Sequence, residues 1–261
     1  MTKIIQELVM NDNVLVFEQF DNFRVEILKP PCSEVTLIDY TKNAEATIVK
    51  LCKGYKGMFD NSEPMLADIE DAFSDIPKTK LKGPTEMAYM VWLITGVTRA
   101  FCQQLTRTRL ASYVMESMRF MGHKGVYQIL ATGNLSKVTV GNTYDETVIQ
   151  SIRAYEYMLE SGIAPEDARG VLPTNILTSI FVGIPLSTLM HIYDQRMCCQ
   201  AQQGEWQPLL IQMKDCIRIE LGERVAGLLT APYERGETCG YNATFDRPCV
   251  WKKEPTWTEL K

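Results

Sequence analysis

Ala88-Tyr89-Met90-Val91-Trp92-Leu93-Ile94-Thr95-Gly96-Val97-Thr98-Arg99-Ala100-Phe101-Cys102-Gln103-Gln104-Leu105-Thr106-Arg107-Thr108-Arg109 is the stretch on which the fold reading turns. Ala88 to Thr95 is a continuous apolar run whose length suits a buried strand. Gly96 is expected to end it, and Thr98 to cap a helix carrying Phe101, Cys102 and Leu105. Strand, tight turn and helix would then deliver two cations, Arg107 and Arg109, to one place. Spacing alone favours a plainer alternative, a solvated helix end whose arginines complement the dipole.

Upstream of this stretch, Val14 to Phe17 and Phe23 to Leu28 read as strands around a turn at Asp21-Asn22, closed by Pro30-Pro31. Val35 to Tyr40 reads as a third strand. A helix begins from Thr41, with Ala44, Ile48, Val49 and Cys52 on one face and Gly54 near its end. Residues 53–84 are polar and rich in turn formers, which suits loop with one short helix around Ala67 to Phe73. Downstream, Thr143 and Glu146 form a capping box for a helix with Val148, Ile149, Ile152, Tyr155 and Leu159 inward, closed by Gly162. Pro165 opens a short acidic turn, Pro173 interrupts the chain beyond it, and Pro185 suits the first turn of a helix through Leu189, Ile192 and Arg196. Past a break at Gly204, a last helix carries Trp206, Leu209, Leu210, Met213 and Ile217. The expected organisation is a single domain over residues 1–232 and an irregular tail over 233–261. Trp251 and Trp257 suggest that the tail packs on the domain or on a neighbouring subunit.

Bulk properties bound the function without choosing it. The 261 residues are 46% hydrophobic and 23% charged, an ordinary balance for a globular protein with a proper core. A net charge of −5 argues against a nucleic-acid polymer as partner, although two or three local arginines still suffice for a small anion. Met1 to Met10 carries Lys3 and Glu7 and lacks the apolar core of a signal peptide. The most apolar run, Ala88 to Val97, falls well short of the roughly 20 residues a bilayer span needs, so a cytoplasmic protein without membrane contact is expected. The eight cysteines include no C-x-x-C pair, and the only histidines are His123 and His191, so no metal site is expected and the thiols read as reduced.

Generic mechanistic motifs are absent: no G-x-G-x-x-G after a strand, no phosphate-binding G-x-x-x-x-G-K-[ST] and no G-x-S-x-G elbow. An enzyme with this sequence would borrow its chemistry from a cofactor. The segment Arg107-Thr108-Arg109-Leu110-Ala111-Ser112-Tyr113-Val114-Met115-Glu116-Ser117-Met118-Arg119-Phe120 resembles the signature of flavin-dependent thymidylate synthases, R-H-R, seven residues, then S, with x-R-Y after it. The approach Gly96-Val97-Thr98-Arg99-Ala100-Phe101, with Gln104 before the motif, is similar too. Gly162 to Pro173 resembles the family's G-x-x-x-E-x-A-R-x-x-L-P segment, and Leu189-Met190-His191 through Arg196 to Gln202 resembles its L-M-H-F-x-x-x-R-x-x-x-x-A-Q helix. Three collinear blocks over roughly residues 33 to 220 are far more specific than any one of them.

The resemblance implies a mixed α/β subunit, α+β in arrangement, with a central and mostly antiparallel sheet packed by helices, assembled as a homotetramer with shared active sites. It implies FAD as cofactor, with NADPH and methylene-tetrahydrofolate as co-substrates, and one-carbon transfer to C5 of dUMP to make dTMP. Arg107, Thr108, Arg109, Met115, Asp194, Arg196 and Gln200 would meet FAD. Gln104, Arg107, Glu116, Ser117, Arg119 and Ser179 would meet the nucleotide, with Ser117, Arg119 and Gln207 nearest the chemistry. Guanidinium forks and a serine hydroxyl suit phosphate oxygens.

The departures are informative. Thr108 stands for the middle histidine, and Leu81-Lys82-Gly83-Pro84-Thr85-Glu86-Met87 lacks both histidines of H-x-x-P-x-E-H, with Gly83 in place of a hydroxyl residue that usually touches FAD. Ser179 replaces a phosphate-binding arginine, which leaves Arg169, Lys124 or a tail residue such as Arg247 to supply that cation. Ala201-Gln202-Gln203-Gly204-Glu205-Trp206-Gln207 carries one extra residue and puts Gln207 near the arginine expected to face N3 of uracil. A neutral amide loses a charge-assisted bond worth about 1.5–3 kcal/mol against about 1 for a neutral one. As a donor it would meet the bare N3 of cytosine. Alternatives to dUMP are therefore dCMP, UMP or another pyrimidine nucleotide, with methyl or hydroxymethyl as product. A shifted alignment around Gly204 and a non-catalytic flavin-binding homologue are the other two readings.

Overall fold

The structure is a computed structural model that describes residues 14–79, 82–120, 125–131, 141–198 and 204–235. Its strands are β1 (Val14–Gln19), β2 (Arg24–Leu28), β3 (Glu34–Tyr40), β4 (Tyr89–Thr98), β5 (Ser112–Met115), β6 (Val126–Leu130) and β7 (Leu177–Pro185). Its helices are α1 (Ala44–Tyr55), α2 (Leu66–Asp75), α3 (Gly83–Glu86), α4 (Arg99–Leu105) and α5 (Gly141–Glu160). They continue with α6 (Pro165–Ala168), α7 (Leu186–Arg196), α8 (Trp206–Glu220) and α9 (Glu223–Gly227). The fold is mixed α/β, as the sequence implied, but its strands form two sheets rather than one. The smaller runs β1-β2-β6 and the larger β3-β4-β7-β5. β1 pairs antiparallel with β2, and β2 pairs parallel with β6, Val25 opposite Tyr127 and Ile27 opposite Ile129.

Two compact units divide the described residues. One holds 14–34, Leu93–Arg107 and Tyr113–Phe181; the other holds Val35–Trp92, Thr108–Ser112 and 182–235. In the first unit the small sheet packs against α5. Val25, Ile27, Tyr127 and Ile129 face Val148, Ile152, Tyr155 and Leu159, a helical stripe at intervals of three and four. Each such side chain taken fully out of water contributes about 1.5–3 kcal/mol. The Tyr127 hydroxyl donates to the Glu156 carboxylate inside this core, and burial together with that carboxylate pushes the Tyr127 hydroxyl well above its ordinary pKa. The second unit is built on α1, α7 and α8, whose Ile48, Val49, Leu189, Ile192, Leu209, Leu210 and Met213 are buried.

Several elements differ from the sequence reading. Gly96 does not end its strand. It adopts φ +66° inside β4, and a side chain there would collide with the Cys32 carbonyl, so glycine lets the strand pass close by and continue to Thr98. The sequence reading gives no strand at 112–115, 126–130 or 177–185. β7 nonetheless carries a period-two signal: Thr178, Ile180, Val182 and Ile184 are buried, while Leu177, Ser179 and Phe181 point the other way. Pro185 closes β7 rather than entering the next helix, which begins at Leu186. The tail beyond 235, with Trp251, Trp257 and Arg247, lies outside the described residues, as do Lys124 and Gln200.

Candidate functional site

The local construction begins at Thr98. Its hydroxyl accepts from the Phe101 backbone N–H at 3.0 Å and caps α4, as the sequence suggested. α4 carries Gln104, half-buried on its last turn, and the chain leaves it through Arg107, whose N–H reaches the Gln104 carbonyl at 3.4 Å. The Arg107 and Arg109 side chains are exposed and have no hydrogen-bond or ion-pair partner among the described residues. Thr108 between them is half-buried. The Tyr113 hydroxyl donates to the Leu105 carbonyl at 2.9 Å, which ties β5 back to the end of α4.

β5 leads into the residues expected to meet a nucleotide. The Glu116 N–H donates to the Ser179 carbonyl of β7 at 3.4 Å, and the Thr178 hydroxyl donates to the Glu116 carboxylate at 3.4 Å. Arg99, buried in the first turn of α4, donates from Nη2 to the Glu116 carbonyl at 2.6 Å. The next residue, Ser117, accepts the Arg119 N–H on its Oγ at 3.3 Å and so opens the short 3-10 turn Met118–Phe120. With its oxygen used as acceptor, the hydroxyl proton of Ser117 remains to be donated to an anion. Arg119 is exposed and pairs through Nε with Glu166 at the start of α6, at 3.1 Å. An exposed pair of this kind is worth about 0–1 kcal/mol, so an incoming phosphate can take the guanidinium at little cost. Arg169 donates from Nε to the Glu166 carbonyl at 3.1 Å, which places a further cation on the same short turn. Met115 is partly exposed on β5, and Ser179 is half-buried on β7. The first unit thus brings Gln104, Glu116, Ser117, Arg119 and Ser179 onto adjoining elements.

The candidates in the second unit stand differently. Asp194 on α7 pairs with Arg235. Arg196, the last residue of α7, lies over the Trp206 ring at 5.0 Å. Gln207 is 1% exposed, and its Nε2 donates to the Cys198 carbonyl at 2.9 Å, which fixes the orientation of the amide. The end expected to serve as a donor to a base is therefore already used, and the buried Oε1 is the atom left without a partner. At Gly83, a side chain would collide with the Tyr55 hydroxyl, so the hydroxyl missing from position 83 is replaced in space by one from the end of α1.

Sequence reading misses two contributors. Arg99 stands in the approach to the motif without a role, and Thr178 carries none either. Arg99 did carry a local signal, because a cation in the first turn of a helix opposes the dipole there and calls for another reason to exist.

Exposed arginines and a serine hydroxyl on short, tied segments are the residue types that suit an anionic ligand such as a nucleotide. The chain belongs to the thymidylate synthase complementing protein family, whose model matches residues 36–220. A flavin-dependent thymidylate synthase from Geobacter sulfurreducens is 30% identical over 228 residues, covering 82% of this chain and 97% of that protein. Among solved structures, the UMP/dUMP methylase PolB from Streptomyces cacaoi, bound with 5-Br dUMP, has a similar fold. Its TM-score is 0.63 at 16% identity, over 77% of this chain and 95% of that one. Thymidylate synthase X from Helicobacter pylori, with FAD and dUMP, gives a TM-score of 0.62 at 20% identity, over 76% of this chain and 99% of that one.

Proposed function

We propose that this protein is an FAD-dependent thymidylate synthase-like methyltransferase, transferring a one-carbon unit from methylene-tetrahydrofolate to C5 of a pyrimidine nucleotide, with dUMP the first choice. The observation that carries the reading is the arginine- and serine-bearing stretch from Arg107 to Arg119 in a chain of this family. Two guanidinium groups in it are exposed without partners among the described residues, and a third is held only by a surface pair.

The residues present fit FAD in one specific respect. Arg107 and Arg109 are the free cations that a diphosphate requires, and their forks match phosphate oxygens. Bound FAD, reduced by NADPH, supplies the redox chemistry that accompanies one-carbon transfer. Thr108, Met115 and Arg196 belong to the cofactor side of this reading, and Asp194 joins it once released from Arg235. Gln200 is assigned with them by resemblance alone. On the nucleotide side, Ser117 donates its hydroxyl and Arg119 its charge to phosphate, with Gln104, Glu116 and Ser179 beside them. Arg169 is the candidate for the cation missing at Ser179.

One observation bears on the base. The free end of the Gln207 amide is Oε1, an acceptor, and an acceptor meets the N3–H of uracil rather than the bare N3 of cytosine. If Gln207 meets the base, dUMP or UMP is favoured over dCMP. A homotetramer in the cytoplasm completes the proposal; no helix among the described residues is long and apolar enough to cross a membrane.

The test is mass spectrometry of products after incubation with FAD, NADPH and methylene-tetrahydrofolate, offering dUMP, UMP, dCMP and CMP separately. A methyl gain on dUMP is expected. A gain confined to dCMP would overturn the base assignment, and no product from any nucleotide with flavin bound would leave a non-catalytic flavoprotein as the better reading.

A further inference from the structure

We propose that Arg99 is a positioning residue for the nucleotide, acting through Glu116 to set where Ser117 and Arg119 stand. The inference rests on the reading of the segment from Glu116 to Arg119 as the nucleotide site.

The geometry is specific. Arg99 is 8% exposed, and its Nη2 donates to the Glu116 carbonyl at 2.6 Å, a bond from an ionised donor and hence of the stronger kind. Glu116 is also held by its N–H on the Ser179 carbonyl at 3.4 Å and by its carboxylate on the Thr178 hydroxyl at 3.4 Å. Beyond Glu116 the strand is over, and the chain turns at once into the Met118–Phe120 segment through the Ser117 cap. Glu116 is therefore the last residue tied to the sheet before the two groups that would meet phosphate. Arg99 is also the first residue of α4, whose backbone N–H donates to the Ile176 carbonyl at 3.1 Å and whose last turn carries Gln104. One side chain thus links the helix bearing Gln104 to the segment bearing Ser117 and Arg119.

Local physics opposes a guanidinium at this position. It sits at the positive end of a helix, and burial, with a smaller effect from the charge of Arg169, lowers its pKa, while Cys102 acts the other way. Arginine stays charged under such pressure, so the cost is borne in the native state. Against these penalties the charged donor is aimed at the Glu116 carbonyl, one residue before Ser117 and three before Arg119.

The test uses the full-length, FAD-loaded protein and reads dUMP affinity by titration alongside steady-state KM, kcat and thermal midpoint. Arg99→Met should raise the dUMP Kd and KM by about 10-fold while kcat and FAD content change by less than about twofold, and Arg99→Lys, which keeps a cationic donor, should recover most of the loss. Arg119→Ala serves as the control for the underlying reading. If Arg119→Ala weakens dUMP while Arg99→Met lowers only the thermal midpoint, Arg99 is structural and the proposal is overturned with the nucleotide site intact. If neither variant alters dUMP affinity, the nucleotide site itself has been misassigned and the proposal falls with it. Should Arg99→Met fail to fold, Thr178→Val, which releases the Glu116 carboxylate, is read instead: a rise of about threefold or more in dUMP KM at unchanged kcat supports the proposal, and unchanged KM overturns it.

Discussion

The segment from Arg107 to Arg119 and the segment from Asp194 to Gln207 both resemble family motifs, and their described side chains are in opposite situations. In the first, Arg107 and Arg109 are exposed and without partners among the described residues, and Arg119 is held only by a surface ion pair. In the second, Asp194 is taken by Arg235, Arg196 lies on Trp206, and Gln207 is buried with its donor on the Cys198 carbonyl. A motif match names residue types at a spacing; only the surroundings say whether their polar atoms are available. The guanidinium groups of the first segment are open to a ligand, whereas the described polar groups of the second are engaged within their own unit. Substitutions at the exposed arginines of the first should therefore change ligand affinity with little effect on stability, and a substitution at the buried Gln207 should cost stability first.

The sharpest test is Gln207→Arg, which restores the residue expected at this position in relatives. In a surface-accessible binding site it would be tolerated and would tighten a uracil nucleotide. In the environment described it buries a guanidinium and removes the bond to Cys198, so destabilisation of at least about 3 kcal/mol is expected, the order of cost for an uncompensated buried charge. Urea unfolding of the variant measures it. A loss below about 1 kcal/mol with stronger dUMP binding would erase the contrast between the two segments, since that is within the range of an ordinary surface change.

Legibility in the sequence divides along the same line. The α1, α5, α7 and α8 stripes were readable because apolar residues recur at helical intervals, and the Thr98 cap because a hydroxyl stands at the right offset from Phe101. Short strands were not: β5 has four residues and β6 has five, too few for a period to declare itself. β7 was hidden by Pro173 before it and Pro185 at its end, although its alternation was present. At the candidate site, Arg107, Arg109, Ser117 and Arg119 are named by the resemblance to a family signature, because spacing alone favours a solvated helix end for the two arginines. Arg99, Thr178 and the partner of Gln207 are not, because each depends on a contact distant in sequence, 17 residues from Arg99 to Glu116 and 62 from Thr178 to Glu116. Burial of Gln207 is likewise a tertiary fact; its neighbours Trp206 and Leu209 hinted at it only through helical spacing.

Arg109→Ala probes the other side of the comparison. An exposed guanidinium without a partner contributes nothing measurable to folding, so the unfolding free energy should move by less than about 0.5 kcal/mol. If Arg109 binds the FAD diphosphate, affinity should fall by about 30-fold, the equivalent of one charge-assisted contact of about 2 kcal/mol. Flavin retained after gel filtration, read by absorbance, decides it. Unchanged occupancy would remove Arg109 from the cofactor site. A large loss of stability instead would mean that the exposed arginine has a structural partner, and the distinction drawn between the two segments would no longer hold.

The smallest expected effect belongs to Arg235→Met, which frees Asp194. Arg235 also donates to the Thr230 carbonyl at 2.8 Å and to its hydroxyl at 3.2 Å, so the substitution removes a small cluster of contacts. The Arg235 and Asp194 side chains remain 33% and 41% exposed, and solvent screens the pair. The cost should be about 1 kcal/mol, the sum of a weak surface pair and one net hydrogen bond. FAD affinity carries the information. If Asp194 serves the cofactor, freeing its carboxylate leaves affinity unchanged or raises it, because a competitor has been removed. If affinity falls while stability hardly moves, the arginine itself faces the cofactor, and the second segment contributes a cation through Arg235 rather than an acceptor through Asp194. The contrast between available and engaged side chains would then have to be redrawn.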